Sequence, residues 1–335
     1  MKTEVLPFSP ESAEKAAEIM AAGGVVGIPT ETVYGLAADA RNEAAVHSIF
    51  EAKGRPQDNP LIVHISAIEQ LRPLVREIPE LALRIAGRFW PGPLTMIFPK
   101  SDVIPQATSG GLDTVAVRMP RSPAARAIID ACGFPLAAPS ANLSGSPSPT
   151  TARHVLRDMD GRIPLIIDGG ECDCGVESTV LCFPAADRVR ILRPGGVTAE
   201  MLSELCSVDI DPAVTSEPPR GAKVLSPGMK YKHYSPKAEV FIVNAHGERF
   251  RDWCLAHEKG RTLALSADPV EHGMFRCFGT DVQAQAHRLF ALLREADDEG
   301  AQTVYVEIPS KDGIGLAVYN RLLRAAAFRV VEADE

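Results

Sequence analysis

The chain has 335 residues and a formal net charge of −8, and 45% of its residues are hydrophobic. This length is sufficient for about two domains that each bury a core of their own. The acidic balance argues against a surface that coats nucleic acid broadly, although a local basic patch is still compatible with it.

The beginning of the chain and its cysteines both indicate a cytoplasmic protein. The run MKTEVLPFSPESAEKAA lacks the apolar centre of a secretory signal, and no apolar run is long enough to cross a bilayer, so we expect no membrane partner. The seven cysteines are scattered, and only Cys172 and Cys174 lie close together. Their C-x-C spacing lacks the second ligand pair of a structural zinc site, so we expect free thiols and no resident metal.

The first predicted strand leads into a polar turn. Ser9 and Pro10 predict a helix start and Gly23 its end, and a strand follows over residues 25–28. The turn PTETVYG at 29–35 then places two threonines and a carboxylate directly beyond the strand, where open α/β sheets usually bind ligands. The alternative is that the threonines merely cap turns.

The stretch KGRPQDNPLIVHI at 53–65 combines two cations with a short strand. Lys53 and Arg55 lie on one side of an extended backbone, with Gly54 between them, which suits an anion clamp. Lys53 also ends a predicted helix that begins at Asn42, and cations are favoured there without any ligand. His64 closes the predicted strand at 61–65 and either reaches a site or is hydrogen-bonded in a core.

An arginine on an apolar strand is the next unusual feature. Two helical patterns at 67–75 and 79–89 and a strand at 94–98 lead to a strand at 114–119. Period-two alternation places Thr114 and Arg118 on the same face of that strand. Because a buried arginine needs an anionic partner, we expect a substrate carboxylate or an acidic side chain such as Asp113 or Asp130.

The rest of the first half repeats this alternation of elements and polar loops. A helix is predicted over 122–133, a polar loop over 139–150 and a helix to about residue 159. Strands follow at 164–168, 178–183 and 189–193. The polar loop is either a binding loop or a plain surface loop.

A proline-rich stretch separates this half from a second unit. Periodicity fades over 208–237, whose last part, SPGMKYKHYSP, interleaves cations and aromatics as a lid over an anionic ligand would. Beyond it, strands at 239–243, 262–266 and 303–308 alternate with helices at 247–258, 281–298 and 315–327, which predicts a small α/β domain with a mostly parallel sheet. We therefore divide the chain into 1–207, a linker over 208–237, and 238–335.

The chemistry of the first domain suits charge stabilisation rather than covalent catalysis. Neither a G-x-S-x-G elbow nor a Walker A loop is present in the sequence. Its cations, amides and hydroxyls could hold a polyanion beside a small zwitterion. Reactions that need positioning, such as attack on a phosphorus centre, fit that inventory.

Seven motifs in order resemble the threonylcarbamoyl-AMP synthase (YrdC-like) family. They are PTETVYGL, KGRPQDNPLIVHI, WPGPLT, TVAVRMP, APSAN, GVEST and LRPG, which span residues 29–195. The linker and the last domain are similar to the longer two-domain form. The resemblance implies an α/β fold: a YrdC-like open twisted mixed sheet with helices, followed by a smaller Rossmann-like domain with a mostly parallel sheet.

The resemblance also implies a reaction and a set of site residues. L-threonine, bicarbonate and ATP, the last with Mg²⁺ bridging its phosphates, would give threonylcarbamoyl-AMP and pyrophosphate, which downstream proteins use to modify tRNA. Lys53 and Arg55 would act in catalysis. Those expected at L-threonine are Thr30, His64, Arg118, Ala138 and Ser178. Those expected at ATP are Lys53, Arg55, Asn59, Thr114, Ser140, Asn142, Ser148, Arg193 and Tyr231.

Two other functions remain open at this point. An RNA-binding module could use Lys53, Arg55 and the segment 230–233 to track phosphates, and its binding would fall steeply with salt. A carbamoyl-phosphate-using relative of the same fold, as in hydrogenase maturation, is disfavoured because the chain lacks additional zinc-finger-like cysteine pairs.

Overall fold

The computed structural model describes residues 2–217 and 234–333, whose strands form two sheets. The first sheet has the order β1-β8-β2-β3-β7-β4-β6-β5-β9-β10-β11 within the described residues and mixes parallel and antiparallel pairs. Its strands are β1 (Glu4–Pro7), β2 (Val26–Ile28), β3 (Gly35–Asp39), β4 (Ile62–His64), β5 (Leu94–Pro99), β6 (Thr114–Arg118), β7 (Leu136–Ala137), β8 (Leu165–Asp168), β9 (Thr179–Ala185), β10 (Arg188–Arg193) and β11 (Ser207–Ile210).

Helices cover this sheet, and five of the seven described begin and end close to where the sequence predicts, whereas those at 106–109 and 199–203 were not predicted. They are α1 (Pro10–Ala21), α2 (Glu43–Lys53), α3 (Glu80–Phe89), α4 (Gln106–Ser109), α5 (Pro123–Cys132), α6 (Ala152–Met159) and α7 (Ala199–Ser203). Ser9 and Ser12 form a capping box before α1. Gly54 ends α2 with φ 60°, a left-handed conformation that glycine adopts without strain.

The prediction of one helix over 67–75 was wrong. The structure has two short 3₁₀ turns there, Ile68–Gln70 and Arg72–Leu74. Pro73 lies inside the predicted helix, where it lacks the backbone N–H and its ring would clash with the preceding turn.

The alternation predicted for β6 is confirmed and defines the two faces of the sheet. Val115 and Val117 belong to the main core cluster, under the helices. Ala116 belongs to a small separate cluster with Ile62 and Ile97 on the opposite face. Arg118 is on this second face, at the end of the strand.

The second sheet is smaller and all its described strands are parallel, in the order β14-β13-β15-β12-β16. Its strands are β12 (Glu239–Asn244), β13 (Thr262–Ser266), β14 (Phe275–Cys277), β15 (Thr303–Glu307) and β16 (Val330–Glu332), and its helices are α8 (Gly247–Ala256), α9 (Val282–Asp298) and α10 (Gly315–Ala325). The predicted α/β fold class, a mixed sheet followed by a parallel one, is therefore confirmed.

The two cores meet at the polar loops of the first domain. Val33 and Val176 belong to the core cluster of the second domain, together with Tyr234 and residues of α9 and α10. The predicted domain boundaries stay a prediction; β11 continues the first sheet to Ile210, and β12 opens the second at Glu239.

Neither a membrane-spanning helix nor a disulfide bond is found among the described residues. Within the described ranges, no helix has the length and apolarity needed to cross a bilayer. All seven cysteines are free.

Candidate active site

A cavity of about 740 Å³, including its open mouth, lies where loops of the first domain meet Tyr234. Its lining comes from segments that are far apart in sequence but adjacent at the ends of β2, β4, β6 and β7. The lining residues are Thr30, Thr32, Val33, Tyr34, Gly35, Lys53, Arg55, Pro60, Leu61, Ile62, His64, Arg118, Ala138, Pro139, Ser140, Asn142, Ser144, Gly145, Ser146, Glu177, Ser178, Arg193 and Tyr234.

The turn after β2 is held by its own hydroxyls. Thr30 Oγ1 donates to the carbonyl of Val33 at 2.6 Å, so the 2.9 Å contact between Thr30 Oγ1 and Thr32 Oγ1 has Thr32 as donor. Arg118 Nη1 donates to Thr32 Oγ1 at 2.8 Å. The threonines therefore form a chain of hydrogen bonds that ties the turn to the guanidinium of Arg118.

Arg118 has a carboxylate partner, and it is Glu31. Arg118 Nη2 lies 2.7 Å from Glu31 Oε1, and both side chains are buried. Their opposite charges hold the two side chains together. The alternatives Asp113 and Asp130 are wrong as partners within the protein.

Electrostatics keeps Glu31 ionised in this buried position. Burial acts to raise the pKa of Glu31, but the charge of Arg118 and backbone N–H donors outweigh it, and the pKa is lowered overall. Glu31 Oε2 accepts one further bond from the backbone N–H of Ser122 at 3.3 Å.

His64 is directly opposite Arg118 in the pairing of β4 with β6. Its Nδ1 lies 3.2 Å from the carbonyl of Ile62, which can only accept, so Nδ1 carries the proton. Burial and then the charge of Arg118 lower the pKa of His64 to about 3. The imidazole is therefore neutral at physiological pH, and its Nε2 is a hydrogen-bond acceptor.

Lys53 ends α2 and enters the cavity wall as a buried cation. Its Nζ donates to the carbonyl of Asn142 at 2.6 Å and to that of Ser140. Burial and the neighbouring Arg55 lower the pKa of Lys53 well below its usual range. Arg55 reaches the backbone carbonyls of Asn59 and Pro60 at 3.5 Å each.

The loop after β7 is shaped by side-chain bonds. Ser140 Oγ donates to Asn142 Oδ1 at 2.5 Å, and Asn142 Nδ2 donates to the carbonyls of Leu143 and Ser146 at 2.7 and 2.9 Å. These bonds close the loop around the two carbonyls that Lys53 binds. The interpretation of 139–150 as a plain surface loop is thereby disfavoured, since Ser140 and Asn142 line the cavity.

Ser178 and Arg193 form the opposite wall. Arg193 donates from Nη2 to Ser178 Oγ and from Nε to the Ser178 carbonyl, both at 3.1 Å. Ser178 Oγ also lies 2.8 Å from Thr95 Oγ1. Gly195 is required beside them, because a Cβ there would lie 2.2 Å from the backbone nitrogen of Thr179.

Most of the predicted site residues converge on this cavity. Those that line it are Thr30, Lys53, Arg55, His64, Arg118, Ala138, Ser140, Asn142, Ser178 and Arg193. The structure does not place Asn59, Ser148 or Thr114 in its lining. Asn59 and Ser148 are buried behind it, while Thr114 is at the far end of β6 and lines a separate groove. Tyr231 and the segment 230–233 lie outside the described residues.

Sequence reasoning missed several residues of the site. Glu31 lies between the two threonines of the predicted polar turn. The predicted need of buried Arg118 for an anionic partner was the signal that could have identified Glu31 as that partner. Glu177 lines the cavity and accepts bonds from Ser148 and from Arg321 of the second domain. The sequence gives no indication that Arg321 belongs to the site, because a charged residue on an amphipathic helix is usually exposed to solvent.

The site can bind charges of both signs but offers no cage for a metal. Glu177 in its lining and Glu31 beside it are each paired with an arginine. Across the described residues, no group of three or more His, Cys, Asp or Glu side chains is placed to hold a metal ion. A divalent cation carried by a nucleotide would fit this donor set better than one held by protein ligands alone.

Two family models together match most of the chain. The Sua5/YciO/YrdC model, described as "Telomere recombination", matches residues 18–195. The model described as "Threonylcarbamoyl-AMP synthase, C-terminal domain" matches residues 197–327.

Full-length relatives and solved structures agree with these matches. The threonylcarbamoyl-AMP synthase of Pyrococcus abyssi is 46% identical over 329 residues, which cover 95% of this chain and 94% of the relative. That of Bacillus subtilis is 42% identical over 339 residues, covering 98% and 97%. The structure of P. abyssi Sua5 complexed with L-threonine has 42% identity and a TM-score of 0.92, covering 98% of this chain and 99% of that one.

Proposed function

The chain belongs to the threonylcarbamoyl-AMP synthase family, and we propose that it joins L-threonine, bicarbonate and ATP into threonylcarbamoyl-AMP and pyrophosphate. The observation that carries the substrate assignment is that two groups of polar side chains line one cavity. We define the Arg118 half as Arg118, His64 and the threonine turn, and the Lys53 half as Lys53 and Arg55.

The Arg118 half suits a small zwitterion. Arg118 lines the cavity, so its guanidinium charge can attract the carboxylate of threonine. Glu31 supplies a buried negative charge beside it, while neutral His64 offers Nε2 as an acceptor. Thr30, Ala138 and Ser178 complete the proposed threonine subsite. The L-threonine complex of the P. abyssi relative supports this choice of ligand.

The Lys53 half suits the nucleotide. Lys53 and Arg55 bring two cations to one end of the cavity, and Ser140 and Asn142 add short polar side chains. We propose that these residues, with Arg193 and with Tyr231 of the linker, hold ATP. We propose that Ser148 and Asn59, which are buried outside the lining, hold these residues in place. A role for Thr114 in binding ATP would require the nucleotide to reach the far end of β6. Mg²⁺ would accompany ATP as part of the substrate and bridge its phosphates.

The reaction needs no covalent enzyme intermediate. The threonine amine attacks the carbon of bicarbonate or of carbon dioxide, and the C–N bond of a carbamate forms. Starting from the free amine, bicarbonate gives the carbamate and one water, whereas carbon dioxide gives the carbamate and one proton. A carbamate oxygen then attacks the α-phosphorus of ATP, the bond to the bridging oxygen breaks, and pyrophosphate leaves with the electron pair. Lys53 and Arg55 would stabilise the charge that spreads onto pyrophosphate.

The product defines the partners and the compartment. An acyl adenylate is a reactive mixed anhydride that a further protein must capture. We propose that tRNA threonylcarbamoyl-transfer proteins consume it in the cytoplasm, where ATP, threonine and tRNA coexist. Direct binding of RNA by this chain is not required for that role.

Pyrophosphate release by the purified chain tests the proposal. We expect release from MgATP only when both L-threonine and bicarbonate are present, with threonylcarbamoyl-AMP detected by mass spectrometry. L-serine or D-threonine serves as the matched substrate control. Release of pyrophosphate without threonine, or salt-sensitive RNA retention with no release, would contradict the proposal and favour a binding module.

A further inference from the structure

The second domain is in direct contact with the loop that carries Ser178. Val176 is fully buried in the core cluster of the second domain. At Gly175, an added Cβ would lie 2.4 Å from the Cα of His287, so the backbone of α9 touches this loop with no side chain between them. Any change in how the two domains pack is therefore transmitted to residues 175–178.

Arg321 is the main polar contact at this junction. This side chain of α10 is fully buried. Its Nε donates to Glu177 Oε2 at 2.9 Å, its Nη2 to the Glu177 carbonyl at 3.1 Å, and its Nη1 to the Pro194 carbonyl at 2.7 Å. Glu177 precedes Ser178 in sequence, and Pro194 follows Arg193. One guanidinium thus binds both strand ends that form the Ser178–Arg193 wall.

We propose that Arg321, from outside the catalytic domain, is a positioning residue for the threonine half of the site. The proposal rests on the function proposed above. A planar guanidinium can bind Glu177 and Pro194 at fixed angles at the same time, which fixes the separation of the two loops. The hydroxyl of Ser178 is then held where it accepts a hydrogen bond from Arg193 Nη2. Without Arg321, the threonine subsite would lose this alignment although Arg118 and Glu31 are intact.

The same interface contains a matched arginine for comparison. Arg294 of α9 is also buried and also crosses between the domains, donating to Asp158 at 2.7 and 3.1 Å and to the Pro147 carbonyl at 2.6 Å. Its partners adjoin the 142–148 loop on the proposed nucleotide side. Arg294 therefore resembles Arg321 in burial and pairing but contacts neither Ser178 nor its neighbours.

The test compares Arg321→Met with Arg294→Met in the full chain. L-threonine binding is measured by calorimetry without ATP, and the melting temperature of each variant is recorded beside it. Both variants should lose stability, because each leaves a buried carboxylate without its partner. We expect threonine affinity to fall about tenfold or more in Arg321→Met and to stay within about twofold in Arg294→Met, since only the first removes the bonds to Glu177 and Pro194 that hold the Ser178–Arg193 wall.

Two results would overturn the inference. The first is a threonine affinity of Arg321→Met within twofold of the wild type, and the second is an equal loss in Arg294→Met. If Arg321→Met does not fold, Arg321→Lys replaces it under the same criteria, because lysine keeps the charge but cannot bridge Glu177 and Pro194. A wild-type chain that neither binds threonine nor releases pyrophosphate would contradict the proposed function, which is a distinguishable result.

Discussion

Two buried arginine–carboxylate pairs adjoin one cavity, and they differ in which member lines it. Arg118 lines the cavity and pairs with Glu31 inside the first domain. In the second pair the carboxylate of Glu177 lines the cavity, while Arg321 reaches it across the domain junction and donates from each of its three nitrogens to a protein acceptor. The first arginine can therefore act on a ligand directly, whereas the second acts on the protein.

This difference explains why a buried ion pair alone does not identify a catalytic group. Both pairs exclude water, and both carboxylates have a pKa lowered by their arginines against the opposing effect of burial. What separates them is which member lines the cavity, the arginine in the first pair and the carboxylate in the second. The experiments proposed below therefore test whether each buried arginine acts on the ligand or on the protein.

The largest effect is expected for Arg118→Ala. This change removes the proposed carboxylate donor and leaves Glu31 buried without its cation, at a cost of about 3–5 kcal/mol. Pyrophosphate release at a fixed threonine concentration should fall about a hundredfold or more, since about 1.4 kcal/mol corresponds to a factor of ten. The assay is the threonine-dependent release described above.

Arg121→Ala is the matched control for that experiment. Arg121 lies three residues further along the chain and is exposed, with a 3.6 Å ion pair to Asp173. Its removal should leave the rate nearly unchanged. Full activity of Arg118→Ala, or an equal loss in Arg121→Ala, would show that Arg118 does not hold the substrate.

The partner of Arg118 shows how far sequence reasoning reaches. The strand alternation predicts that Arg118 shares a face with Thr114 and needs an anion. Which carboxylate it meets depends on the sheet order, since Glu31 is 87 residues away in sequence and reaches Arg118 through the turn after β2. The local strand pattern therefore predicts that Arg118 needs an anion, whereas the identity of that anion depends on contacts between segments that are distant in sequence.

Other parts of the fold divide in the same way. Capped helices such as α1 and α9 were predictable, because caps and apolar spacing are local signals. The strands β1, β3, β7, β11, β14 and β16 were not predicted, because segments of five residues or fewer carry too little alternation to be recognised. Arg321 lies in a well-predicted helix, yet only the docking of the two domains makes it buried.

A smaller effect is expected from the histidine beside the first pair. The pKa of His64 falls from 6.5 to about 3 on folding, so the unfolded chain binds the proton more readily. Stability is therefore lost as pH decreases from about 6.5 towards 3, by about 2 kcal/mol at pH 5. In His64→Asn this part of the acid sensitivity should disappear, as measured by urea unfolding at pH 7.5 and pH 5.

His154 provides the internal reference for the pH experiment. Burial and then Arg294 lower the pKa of His154 to about 4, so it also contributes a loss at pH 5, but a smaller one than His64, because solvent reaches part of its ring. This contribution stays in His64→Asn, and less than half of the combined loss from the two histidines should therefore remain. An unchanged pH dependence in His64→Asn would mean that His64 is not buried as a neutral group next to Arg118.

The smallest effect is expected for an ion pair at the same domain interface that water can reach. Arg157 and Asp298 join α6 to α9, with 41% and 58% of their side chains exposed. Arg157→Met should change the free energy of unfolding by less than about 1 kcal/mol, and the change should shrink further in high salt. The adjacent residue Asp158 binds Arg294 in a buried pair across the same interface. If Arg157→Met were as destabilising as Arg294→Met, exclusion of solvent could not be the reason that the buried arginine–carboxylate pairs contribute more to stability than the exposed one.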